Sequence, residues 1–241
     1  MGEPLLRVEN VVKRFGGFQA LGGVSLEVQP GERFGLIGPN GSGKTTLINC
    51  ISGTLRNDEG RIFFRGQDIT ALPAHRRTWR GIARTFQIPR PFGTMTVLEN
   101  LRVTLEYAAR ERARAGDPAV EAMEILAGVG LDPKAGAISG LLTQIEMRKL
   151  ELARAMAAKP ALLISDEAMA GLSSSEVDEL LEILLRLNAA GTTVIMIEHI
   201  MRAVMRFSER IAVLDAGEKI AEGPPDKVVS DRAVERAYLG E

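Results

Sequence analysis

Apolar and polar positions alternate along residues 5–14 (Leu-Leu-Arg-Val-Glu-Asn-Val-Val-Lys-Arg) and again along 24–29. That period of two is the mark of half-buried antiparallel strands. Phe34-Gly35-Leu36-Ile37 and Ala161-Leu162-Leu163-Ile164-Ser165 are instead short continuous apolar runs, which read as strands covered on both faces. Further strands are expected at Arg61–Phe64, Ile82–Phe86 and 192–197, and a hairpin at Ile211–Leu214 and Lys219–Ala221, turned by Asp215-Ala216-Gly217-Glu218. Helical spacing takes over at Thr46, at 120–127, at 142–158 and at 176–189, with one last short helix after Gly223-Pro224-Pro225. Residues 95–128 carry no strand-like alternation and are rich in Ala, Leu, Glu and Arg. They read as a helical lobe inserted in an α/β core, with helix running from Thr96 through the arginine-rich 110–114.

Local signals fix several boundaries. Thr143 and Glu146 have the spacing of a capping box, so a helix starts there, and Lys159-Pro160 ends it. Phe15-Gly16-Gly17-Phe18 reads as a loop between the first two strands. The two prolines and glycine of Ile88-Pro89-Arg90-Pro91-Phe92-Gly93 make a loop rather than a helix.

Gly38-Pro39-Asn40-Gly41-Ser42-Gly43-Lys44-Thr45-Thr46 matches G-x-x-x-x-G-K-[ST] at every fixed position, between an expected strand and an expected helix. That context makes an anion site: backbone N–H groups line the loop, the helix dipole faces the anion, and glycines let the backbone approach it. Lys44 reaches the β- and γ-phosphates in such a loop, and the Thr45 hydroxyl takes one Mg²⁺ position.

Composition narrows the class. The 241 residues are 45% hydrophobic and 25% charged, ordinary for a globular protein. A net charge of −1 and a pI near 6.2 speak against a dedicated nucleic-acid binder. The one cysteine, Cys50, cannot form an internal disulfide, which suits a reducing compartment, and it falls on the apolar side of its helix. No apolar run approaches the ~20 residues that span a bilayer, and the N-terminus has no apolar signal region.

Further chemistry gathers at strand ends. Asp166-Glu167 comes directly after a buried strand, and adjacent carboxylates are costly there unless they handle a cation or a proton. The C-terminal edge of an open α/β sheet is also where ligands bind. Gln87 ends one strand and can touch a bound metal or stay solvated. His199 ends another and is either a satisfied structural histidine or a functional one. Phe15 either stacks on a purine or plugs the sheet. His75, beside Arg76 and Arg77 in an expected exposed helix, reads as inert.

In order and spacing, these segments resemble an ABC-type ATPase over essentially the whole chain. The resemblance implies a P-loop NTPase (RecA-like) α/β core with an antiparallel β subdomain and an inserted α-helical subdomain. One domain of residues 1–241 is expected, with 1–87 and 156–241 as the core and 88–155 as the helical part. Phe15 takes the place of the adenine-stacking aromatic, Gly38 to Thr45 is the Walker A loop, and Gln87 the Q-loop glutamine. Leu142–Glu146 is the signature, Ala161–Asp166 Walker B, and Glu167 the catalytic carboxylate. Ala170-Gly171-Leu172-Ser173 is the D-loop and His199 the switch histidine. Thr45, Gln87 and Asp166 would organise Mg²⁺, while Glu167, His199 and Gln87 serve ATP hydrolysis.

Arg84–Gln87, Thr96–Leu101, Ile197-Glu198-His199 and Ala237–Glu241 look more closely like the ATP-binding subunit of branched-chain amino-acid importers. The partners so implied are integral-membrane permease subunits, docking near Gln87–Gly93, and a second ATP-binding subunit, homo- or heterodimeric. No nucleic acid is implied. The place implied is the cytoplasm, peripheral on the inner face of the membrane through the permease. Three features depart from the family: Ile145 and Glu146 replace the signature's glycine and glutamine, Ala168 a proline, and Ser173 an Asp or Asn. Ile145 would crowd the partner's γ-phosphate and Glu146 would add negative charge beside it. The alternatives are therefore a hydrolysis-impaired ATP-dependent switch subunit, or a non-transport ABC ATPase.

Overall fold

The structure, a computed structural model, describes residues 2–87, 89–108 and 117–239. The expected helix through 110–114, Ile88 and the tail 240–241 lie outside the described residues.

Two sheets carry the chain. β1 (Leu6–Phe15), β2 (Phe18–Val28), β4 (Glu59–Phe64) and β5 (Gln67–Asp68) form an antiparallel sheet in the order β2-β1-β4-β5. The second sheet runs β10-β9-β3-β8-β7-β6, from β3 (Arg33–Ile37), β6 (Ile82–Arg84), β7 (Leu162–Asp166), β8 (Thr193–Ile197), β9 (Arg210–Asp215) and β10 (Glu218–Gly223). Its strands are parallel except the edge strand β10, which pairs antiparallel with β9.

The parallel strands are covered on both faces, and side chains alternate between two cores. Leu162 and Ile164 of β7, with Ile195 and Ile197 of β8, join a cluster that holds α1 (Lys44–Ser52) between the two sheets. Leu163, Val194 and Met196 point the other way, toward a cluster fed by α3 (Val97–Ala108), α4 (Pro118–Val129), α5 (Gln144–Met156) and α6 (Ser174–Ala189). This two-sided burial is why these strands read as continuous apolar runs. Beyond them, α7 (Met201–Phe207), α8 (Pro225–Val229) and α9 (Arg232–Leu239) pack around Ile37 and Val213. Among the described residues no helix is long and apolar enough to cross a membrane.

Several sequence expectations shift. Phe15–Phe18 is not an extended loop: β1 and β2 run to its ends and only Gly16-Gly17 turn, with Gly16 at φ +57°. β6 stops at Arg84, two residues short of the expected strand. The tail holds two helices, α8 and α9, rather than one. In α2 (Ala74–Arg80) His75 is exposed as expected, but its neighbour Arg77 is buried.

Candidate active site

β3 ends at Ile37 and the chain turns at once into the glycine-rich loop that starts α1. Two of its glycines are required by contact. A Cβ on Gly38 would stand 2.1 Å from the Leu214 carbonyl oxygen, and one on Gly43, at φ +102°, 2.8 Å from that of Ala20. The loop is thus pressed against β2 and the β9–β10 hairpin. No side chain caps α1, which leaves its first N–H groups free for an anion. Lys44 folds over the loop and donates to the carbonyls of Gly38 (2.7 Å) and Pro39 (2.9 Å). Burial lowers its pKa, and the charges of Glu167 and Asp166 work against that. A cleft of about 300 Å³ opens here, lined by Phe15, Phe18, residues 40–46 and Glu167.

Glu167 is bracketed. Gln87 Nε2 donates to its Oε2 (2.5 Å), and His199 Nε2 lies 2.9 Å from its Oε1. β6, β7 and β8 are adjacent in the sheet, so their C-terminal ends deliver these three side chains to one place. Glu167 sits at φ +46°, a left-handed conformation unusual for a residue with a side chain. Asp166 faces elsewhere. Its Oδ2 is 2.6 Å from Arg84 Nη2, with the two side chains only 7% and 9% exposed, and Arg84 Nη1 donates to Asn49 of α1 (2.6 Å). No hydrogen bond joins Thr45, Gln87 and Asp166, because Gln87 is engaged by Glu167 and Asp166 by Arg84. Their hydroxyl, amide and carboxylate oxygens are nevertheless the hard donors that Mg²⁺ takes.

The capping box expected in the signature segment is formed. The Glu146 carboxylate accepts from Thr143 N (3.0 Å) and meets Lys134 Nζ at 2.5 Å. Lys134 first, then the Thr143 amide, holds its pKa below the usual carboxylate range. Its charge is met within its own chain. Ile145 is half-buried against the helical core.

Sequence reading missed four residues near this site. Phe18 lines the cleft with Phe15. Arg84 stands beside Asp166. Glu198 is 3% exposed and accepts from Met169 N (2.9 Å). Arg148 donates to the Gln87 carbonyl and, at 3.3 Å, to that of Ala170. The charge order at strand ends was visible for Arg84 and Glu198. Nothing in the spacing distinguished Arg148 from the other cations of its helix.

A model of the ABC transporter family matches residues 21–170, and one described as branched-chain amino acid ATP-binding cassette transporter matches 218–241. The high-affinity branched-chain amino acid transport ATP-binding protein LivG of Escherichia coli K12 is 39% identical over 254 residues, covering all of both chains. The crystal structure of the ADP conformation of an ATP-binding cassette of an ABC transporter superposes with a TM-score of 0.90 at 36% identity, covering both chains fully. A dimeric cassette in a post-hydrolysis state with ADP and Pi superposes at 0.81 with 27% identity, covering 91% of this chain and 98% of that one. The family match over residues 21–170 and the 39% identity to LivG along the whole chain agree with the geometry of the loop and cleft: the chain belongs to the ABC transporter family, as an ATP-binding, ATP-hydrolysing subunit.

Proposed function

We propose that this chain powers import of branched-chain amino acids or related small solutes, held at the inner face of the membrane by permease subunits. The bracketing of Glu167 by Gln87 and His199 carries the reading of the site. Phe15 stacks the adenine, residues 38–46 hold the phosphates, and Glu167 orients and polarises the attacking water. His199 steadies charge on the transferring phosphate, where positioning and electrostatics do most of the catalytic work. Thr45, Asp166 and Gln87 would hold Mg²⁺, directly or through water, and the ion would neutralise charge on the phosphates. The tail match and the full-length LivG likeness support the solute class.

Two contiguous clefts support a permease docking site. One of about 210 Å³ is lined by Ala74, Thr78, Arg84, Phe86, Glu151 and Arg154 among others. The other, of about 430 Å³, has Trp79, Phe92 and Tyr107 in its walls. An aromatic groove of this kind suits the apolar face of a short helix.

Steady-state ATPase activity of the purified chain, measured across protein concentration beside Glu167→Gln, tests the site. Activity should rise faster than linearly with concentration, as dimerisation requires, and fall about 100-fold or more in the variant while ATP still binds. Turnover surviving in Glu167→Gln would reassign the carboxylate.

A further inference from the structure

We infer that Arg148 and Glu198 are positioning residues for Glu167, fixing the segment that follows it and the 86–87 segment beside it through buried hydrogen bonds to their backbone. The inference rests on Glu167 being the carboxylate that acts on water. Glu167 leaves β7 at φ +46°. Its N–H still donates to the Ile197 carbonyl (2.9 Å), while its own carbonyl receives a long bond from Ala170 N (3.3 Å), so the backbone is held more firmly before it than after it. The segment after it, Ala168–Ala170, is gripped from two directions. Glu198 Oε1 takes the N–H of Met169 at 2.9 Å, and Arg148 Nη2 donates to the Ala170 carbonyl at 3.3 Å. Gln144 Nε2 adds a second donor to that carbonyl, at 3.2 Å.

The same guanidinium reaches the other side of the site. Arg148 Nη1 donates to the carbonyl of Gln87, whose side chain in turn donates to Glu167, and lies 3.5 Å from the carbonyl of Phe86. One planar group thus ties the backbone of residues 86–87, of which Phe86 lines the cleft proposed for docking, to the segment behind Glu167. A buried guanidinium suits this task, because its donors diverge in one rigid plane whereas an ammonium is a point. Arg148 is 8% exposed and its Nε finds no partner; burial lowers its pKa, with the charges of Glu198 and Glu151 working against that. So costly a burial is matched by the carbonyls it organises. Movement of residues 86–87 is transmitted to Glu167 by this link, independently of the phosphate loop.

The test is Arg148→Met and Arg148→Lys, read by kcat, by affinity for a fluorescent ATP analogue and by melting temperature, with Glu167→Gln alongside. In Arg148→Met, kcat should fall about 10- to 100-fold. Affinity for the analogue should stay within about threefold, since the phosphate loop and Phe15 touch neither residue. Arg148→Lys should recover only part of the rate, and it supplies the same readings if the methionine variant does not fold. Adding Glu198→Gln should cost less in either variant than in the parent, as coupled residues do. A kcat within twofold of the parent overturns the inference, as does a parallel loss of kcat and affinity, which marks a merely structural arginine. Hydrolysis surviving in Glu167→Gln would instead overturn the reading of Glu167, whatever Arg148 does.

Discussion

Glu198 shows how far a single side chain's chemistry depends on its surroundings. Burial raises its pKa from the ordinary 4.5 to about 7, with the Met169 amide and Arg148 pulling down and Glu167 pushing up. A carboxyl with a raised folded-state pKa holds its proton more tightly than the unfolded chain does. Its contribution to stability is complete below pH 4.5 and is lost as pH rises through 7. Glu198→Gln keeps an acceptor for Met169 and removes the titration. The unfolding free energy of the variant relative to the parent should therefore grow between pH 5 and 8, by on the order of 3 kcal/mol. Denaturant titrations at several pH values read this directly, and a difference that stays flat with pH would refute it. Ser173 shows a departure that keeps its local capping role. Its hydroxyl caps α6 and the Glu176 carboxylate returns to its N–H at 2.8 Å, as Asp or Asn would allow.

Among the elements, α1 matters most, because its uncapped N-terminus opens from the glycine-rich loop. Its other end is held by α2. Arg77 Nη1 donates to the carbonyls of Cys50 (2.6 Å) and Ile51 (2.8 Å), while Nε and Nη2 bond Leu72 and Thr70. A cation on those last carbonyls satisfies acceptors that the helix leaves open and complements its dipole. The cost of burial shows in a pKa lowered to about 10. Arg77→Leu should lower stability by about 3 kcal/mol through the orphaned carbonyls, or roughly 6–12 °C in Tm for a chain of this size. A melt within about 2 °C of the parent would show that water replaces the guanidinium. α2 also lines the clefts proposed for docking through His75, Thr78 and Trp79, so α1 and that groove are joined through one helix.

At the scale of the whole molecule, the altered signature bears on the dimer. A negative charge at Glu146 looked like a repulsion for the partner's phosphates, but Lys134 and the Thr143 amide already meet it. The side chain of Ile145 is what remains to obstruct close approach. Ile145→Gly should therefore raise ATP turnover of the self-associated chain about 10-fold or more. Glu146→Gln alone should leave it within about twofold, because it removes a charge that is already offset. Steady-state ATPase measurements at saturating ATP decide between the two residues. A rise from Glu146→Gln with none from Ile145→Gly would return the effect to charge.

The sequence by itself determined most of the elements and the glycine-rich loop. Strand alternation, apolar runs and G-x-x-x-x-G-K-T are local, and Gly38 and Gly43 have no substitute where a Cβ would meet a backbone oxygen within 3 Å. It also placed Asp166 at a strand end and Glu167, Gln87 and His199 one to three residues beyond one, where polar side chains first reach open space. Only the tertiary structure decided which of them meet. Sheet order set β6, β7 and β8 side by side, so Gln87 and His199 close on Glu167, while Asp166, one residue earlier, points to the opposite face and finds Arg84. The buried cations were beyond a reading of the chain in order. Arg148 and Arg77 look like solvated arginines on amphipathic helices, and their partners are backbone carbonyls 22 to 62 residues away for Arg148 and up to 27 for Arg77. A carbonyl carries no identity in a sequence, so a guanidinium that organises carbonyls becomes visible only when the chain is folded around it.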